Sequence, residues 1–144
     1  MRTLILLLIM VSFSLTSHAE EWVHCFTDNA GNNTFYDEES IAPTGKGLTR
    51  IRIRTDYSQK GRSDFIKTLI SRGTYNSNYD QLSHSVTSWR FDCSKKQNDL
   101  YSIYEYDKQY GIIASYKAKE LDMEPVMPGT IGDILYRIAC RGIR

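Results

Sequence analysis

Proline and glycine are scarce, three and nine among 144 residues, and neither sign of charge prevails, with 18 Lys and Arg against 17 Asp and Glu. The first shortage excludes collagen-like and other fibrous architectures. The second excludes a chain drawn to nucleic acid by bulk electrostatics. Long apolar runs are also missing: beyond a stretch of about a dozen residues near the start, nothing approaches the roughly 20 that a membrane-spanning helix needs. Motifs of the known catalytic classes are absent too, with no Gly-rich phosphate loop, HExxH, CxxC or Gly-x-Ser-x-Gly. What remains is a chain 41% apolar and 12% aromatic, too hydrophobic for intrinsic disorder and too short for two folded domains.

The amino terminus reads as an export signal. Arg2 supplies a positive start, residues 4–15 an apolar stretch, and Ser17-His18-Ala19 a small-x-small cleavage site before Glu20. Cleavage after Ala19 leaves residues 20–144, expected to form one domain in which basic and acidic side chains both number 17. Such a chain has no membrane span and no electrostatic bias toward nucleic acid or anionic lipid. Cys25, Cys93 and Cys140 all survive cleavage, and export places them where disulfides persist. Three cysteines permit one intramolecular bond and leave a thiol that can pair between molecules, so a homodimer stays open.

Strand signals dominate. Residues 21–27 and 34–37 are short aromatic segments on either side of a Asp-Asn-Ala-Gly-Asn-Asn cluster, which predicts a hairpin. From Leu48 to Tyr57 the alternation is regular, with Arg50, Arg52 and Arg54 between Thr49, Ile51, Ile53 and Thr55. From Ser63 the period changes. Phe65, Ile66, Leu69 and Ile70 predict a short helix capped by Ser63 and stopped by Gly73, followed by a polar loop over 76–82. Residues 85–93, 100–106 and 112–119 predict three further strands. Near the end, Pro125 and Pro128 hold the chain extended, Thr130 and Asp133 form a capping box, and Ile131, Ile134, Leu135 and Ile138 make a helical stripe. The expected class is α+β: an antiparallel meander with a C-terminal helix packed on one face and a short additional helix in a mid-chain insertion.

Arg50, Arg52 and Arg54 fall on one sheet face at roughly 7 Å intervals, a spacing suited to an acidic polymer or a carboxylate-rich protein surface. The same pattern also describes an ordinary solvent face with Glu105 or Asp92 neutralising part of it across strands. Tyr104 and Tyr106 share a second such alternation, with Tyr101, Ile103 and Glu105 expected opposite them. Tyrosine suits both protein recognition and strand packing. His24 and Cys25 are adjacent on a strand and point to opposite faces, which argues against a nucleophile pair and against joint metal ligation. No cofactor or metal site is expected.

Several of these segments together resemble the surface-adhesin protein E family of Gram-negative bacteria. They are Trp22, Tyr36-Asp37-x-x-Ser40-Ile41, the alternating strand from Leu48, Phe91-Asp92-Cys93, and the run Glu124-Pro125-Val126-Met127-Pro128-Gly129-Thr130 leading into a helix that ends Ile138-Ala139-Cys140. The resemblance implies an antiparallel sheet covered by the C-terminal helix, with a disulfide joining Cys93 to Cys140. It also implies a non-enzymatic adhesin-like domain whose partner is an extracellular-matrix-type or envelope protein. Family prototypes are held to the outer membrane by a lipid on cysteine; here the first cysteine, Cys25, follows Glu-Trp-Val-His, and periplasmic residence is the leading expectation, with the cell surface or the extracellular space as the alternatives. A periplasmic structural or assembly role is the alternative function.

Overall fold

The computed structural model describes residues 21–141; the export signal read over residues 1–19 lies outside the described residues. The elements run β1 (Trp22–Thr27), β2 (Asn33–Thr44), β3 (Leu48–Asp56), α1 (Gln59–Ser71), a 3-10 turn (Ser77–Gln81), β4 (Leu82–Asp92), β5 (Gln97–Asp107), β6 (Ile112–Lys117), β7 (Glu124–Pro125) and α2 (Ile131–Arg141). The first six strands pair in chain order into one antiparallel sheet. The two-residue β7 joins β5 through Gln97 and Asn98, beyond the stretch that β6 covers, so β6 and β7 lie end to end along the same edge.

The alternation in β3 decides the layering. Ile51 and Ile53 are buried and meet Tyr36, Phe91, Val126 and the α2 residues Leu135, Tyr136 and Ile138 in one core. The intervening arginines are left on the opposite face. At the far end of the helix-bearing face, Phe65 of α1 packs against Tyr57 and Tyr79, and the Tyr79 hydroxyl donates to Glu105 at 2.8 Å. Both helices therefore cover one side of the sheet.

Local chemistry explains each helix start. Thr130 Oγ1 accepts from the Asp133 amide at 3.4 Å, and Asp133 accepts from the Gly129 amide at 3.3 Å, a reciprocal cap; Asp133 also pairs with Arg137 one turn on. Ile131, expected in the buried stripe, is exposed. It stands in the first turn, before the helix axis brings its next turns onto the sheet. Tyr136 fills the face instead, donating through its hydroxyl to the Cys93 carbonyl at 3.0 Å. Cys93 and Cys140 are joined by a disulfide with their Cα atoms 5.5 Å apart, tying the end of β4 to the end of α2.

The mid-chain helix begins five residues earlier than the sequence predicts. Ser58, not Ser63, is the cap: its hydroxyl accepts from the Gly61 amide at 2.9 Å and donates to the Ala30 carbonyl at 2.6 Å. The Asn32 side chain accepts from the Ser58 amide at 3.0 Å. Partners in the β1–β2 turn, 26 and 28 residues away in sequence, thus select the starting residue. Gly73 ends the helix as expected, with φ near +69°, a conformation that suits glycine. The segment expected as loop forms the 3-10 turn, capped by Asn76.

β2 is twelve residues long rather than four, because an irregularity between Asp37 and Ala42 lets the strand resume. Asp37 accepts from the Glu39 amide, Ser40 donates to the Asp37 carbonyl at 2.6 Å, and the Arg52 amide donates to Ser40 at 2.8 Å. Two side chains take over the bonding that the bulge removes from the ladder. That gives the Asp37-x-x-Ser40 spacing its physical reason.

Candidate binding surface

Register places five strands' worth of side chains into rows across the face that neither helix covers. Trp22, Asp37, Arg52, Ser88 and Ser102 form one row, and His24, Phe35, Arg54, Val86 and Tyr104 the next. Asp56, His84 and Tyr106 follow, while Arg50 and Arg90 lie at the opposite end. The sequence-predicted residues Arg50, Arg52, Arg54, Tyr104 and Tyr106 consequently share this face. Reasoning from sequence missed Trp22, Phe35, His84, Val86 and Arg90, whose positions depend on strand register rather than on any local pattern.

Carboxylates on the same face partner two of the predicted arginines. Arg52 lies 3.7 Å from the buried Asp37, with its guanidinium 5.6 Å from the centroid of the Trp22 ring. Arg54 Nε donates to Asp56 at 2.6 Å. Neither expected neutraliser takes part. Glu105 points to the helix-bearing side and accepts from Tyr79, and Asp92 is occupied in the β4–β5 turn by Ser94 and Lys95. Arg50 is exposed, and among the described residues no carboxylate lies within ion-pair reach of it.

The tyrosines divide differently from expectation as well. Tyr104 and Tyr106 lie on the uncovered face, where Tyr106 stacks on the buried His84 ring with centroids 4.9 Å apart and Tyr110 meets it edge-on at 5.3 Å. Burial and then the Arg54 charge hold the His84 pKa below its ordinary value, with Asp56 opposing. Tyr101 was expected beside Ile103 and Glu105, on the other side. Instead the register slips between Ser88 and Trp89, and the Tyr101 ring is held against Arg90 at 4.5 Å and Lys117 at 5.2 Å. A bulge inserts one residue and so re-aims the side chain.

The fold keeps His24 and Cys25 on opposite faces. His24 stands with Phe35 on the uncovered face, and Cys25 packs against the core from the other, where burial raises its thiol pKa. A protonated, half-buried thiol is a poor nucleophile. Among the described residues no group of three or more His, Cys, Asp or Glu side chains is placed to hold a metal ion, and no helix is long and apolar enough to cross a membrane.

The class the fold defines is an antiparallel sheet with both helices on one side and an arginine- and aromatic-bearing face left open on the other. Comparison with protein-family models agrees: residues 22–141 match the model described as surface-adhesin protein E, and the chain belongs to that family. Membership implies a binding role and an exported or surface-located protein. No match was found among curated proteins or among solved structures.

Proposed function

We propose that residues 20–144 are the mature form of an exported, non-catalytic binding domain that holds a host or envelope protein against its uncovered sheet face, residues 1–19 being the export signal. The observation that carries this reading is the side-chain inventory of that face. Trp22, Phe35, Tyr104 and Tyr106 are interleaved with Arg52 and Arg54. Trp, Tyr and Arg are the residues that most often dominate protein interfaces, since each offers a large contact area together with a polar handle. Asp37 and Asp56 hold two of the guanidinium groups in place, reducing the side-chain entropy lost on binding.

Surface plasmon resonance over immobilised extracellular-matrix proteins tests it. Trp22→Ala and Tyr104→Ala should each weaken binding by about tenfold, and Arg52→Glu should weaken it most at low salt. Lys60→Ala, on α1 and away from the face, should change nothing. Equal binding by all four variants would sink the proposal.

A periplasmic structural or assembly role using the same face is supported by Cys25. Cys25 lies within β1 and packs on the core, which turns its thiol inward rather than toward a surface. Protease treatment of intact cells separates the readings: degradation favours adhesion, and protection until the outer membrane is permeabilised favours the periplasm.

A further inference from the structure

The end of the uncovered face beyond Arg52 holds a pocket of about 270 Å³, open on one side, lined by Thr44, Lys46, Leu48, Arg50, Arg90, Tyr101 and Leu121. Its charges are all positive at the rim. Arg90 is already engaged: its Nε donates to the buried Asp99 at 2.7 Å, its Nη2 contacts the same carboxylate, and the guanidinium rests on the Tyr101 ring. That pairing fixes Arg90 as a wall. Arg50 and Lys46 are exposed and have no carboxylate partner among the described residues. Lys117, by its hydrogen bond and charge, and then Arg90 and Arg50 pull the Tyr101 phenol below its ordinary pKa, the mark of a positive local potential.

Two leucines supply the aliphatic part of the lining. Leu48 is nearly inaccessible and forms a floor, while Leu121 stands 44% exposed at the edge. The Thr44 hydroxyl is turned to the Gly45 and Leu48 carbonyls. No Asp, Glu, Asn or Gln side chain lines the pocket. A sugar acid would therefore find a partner for its carboxylate and few for its hydroxyls, whereas a bare inorganic anion would leave the leucines unused. The volume lies at the small end for ligand pockets, enough for one residue-sized group.

We propose that this pocket captures a carboxylate carried directly on a compact aliphatic group, the chemistry of a polypeptide C-terminus that ends in an aliphatic residue, with Arg50 as the carboxylate-binding fork. The planar guanidinium pairs two parallel N–H donors with the two carboxylate oxygens, and the side chain beside that carboxylate lies between Leu48 and Leu121. The open side of the pocket lets the preceding chain leave. This deepens the protein-partner reading and rests on it for biological sense. The pocket itself is tested with small probes that need no partner protein.

N-acetyl-leucine titrated into the oxidised protein and followed by NMR should give saturable shifts at residues 44–50, Tyr101 and Leu121, with a Kd on the order of 1 mM for a ligand of that size. N-acetyl-leucinamide, which lacks the charge, and acetate, which lacks the side chain, should each bind at least about tenfold more weakly. Arg50→Gln, an exposed position whose loss leaves no buried charge, should cost about tenfold or more with the folded spectrum unchanged. Acetyl-Ala-Ala-Leu should bind at least as well as N-acetyl-leucine. Tighter binding of glucuronate than of N-acetyl-leucine, exclusion of the tripeptide, indifference to Arg50→Gln, or no saturable binding by N-acetyl-leucine would each overturn the assignment. These outcomes are independent of matrix-protein binding, so failure here and failure of the wider face are read separately.

Discussion

Removing the Cys93–Cys140 bridge should cost about 4 kcal/mol. The two residues are 47 positions apart, and closing a loop of that length removes conformational entropy from the unfolded chain worth about that figure at room temperature. Because single domains are stable by only about 5–15 kcal/mol in all, the bridge supplies a large fraction of the total. The perturbation is Cys93→Ala with Cys140→Ala, which leaves small apolar groups at two positions packed against the core. Urea denaturation should show the lower midpoint together with a steeper slope, since the uncrosslinked unfolded chain is more expanded. Thermal melting should fall by roughly 12–20 °C. Thiol titration of unfolded, unreduced protein should find one thiol, that of Cys25. A double variant within about 1 kcal/mol of the parent would refute the argument, as would three titratable thiols before reduction.

Gly61→Ala should destabilise by about 1–3 kcal/mol although alanine is the better helix former, because its Cβ would fall 1.8 Å from the Asn32 oxygen that anchors the Ser58 cap; chemical denaturation checks it, and a neutral or stabilising result refutes it. Burial and then the hydrogen bond to Glu105 push the Tyr79 phenol up to about 12. A raised phenol pKa means that the fold prefers the protonated form, so this contribution is complete below about pH 10 and is lost as pH climbs toward 12; Tyr79→Phe should flatten that alkaline decline in a stability profile. His84 has the opposite sign: a depressed folded-state pKa gives stability that is present above about pH 6.5 and falls away on acidification. NMR titration should find the His84 ring titrating below the ordinary histidine range, and a midpoint at or above that range would contradict the packing beneath Tyr106.

Alternation and capping chemistry were readable because they are local. Ile51 and Ile53 identify the buried side of β3 by themselves, and Thr130 with Asp133 marks the start of α2. Ser63 misled because the true cap, Ser58, is chosen by Ala30 and Asn32, residues that only the folded sheet brings near. Tyr101 misled for a related reason: strict alternation assigns it to the helix-bearing side, and one extra residue in the ladder turns it to the other. The arginine row was legible as a row, yet its partners Asp37 and Asp56 were not. Asp37 belongs to a strand whose length depends on Ser40 closing a bulge, and no count of apolar residues contains that information.

Chain order and spatial order coincide in the first six strands, which bears on how the molecule is made. Four of the five joins between them are short turns, and only the step from β3 to β4 passes through α1 and the 3-10 turn, so most closures are local for a chain emerging from its amino end. Cys140 belongs to the last element, and in the fold it meets Cys93 where α2 lies on β3 and β4. The bond therefore fastens the last-made element to strands made long before it, so the chain's final segment cannot leave the sheet without either reduction or wider unfolding.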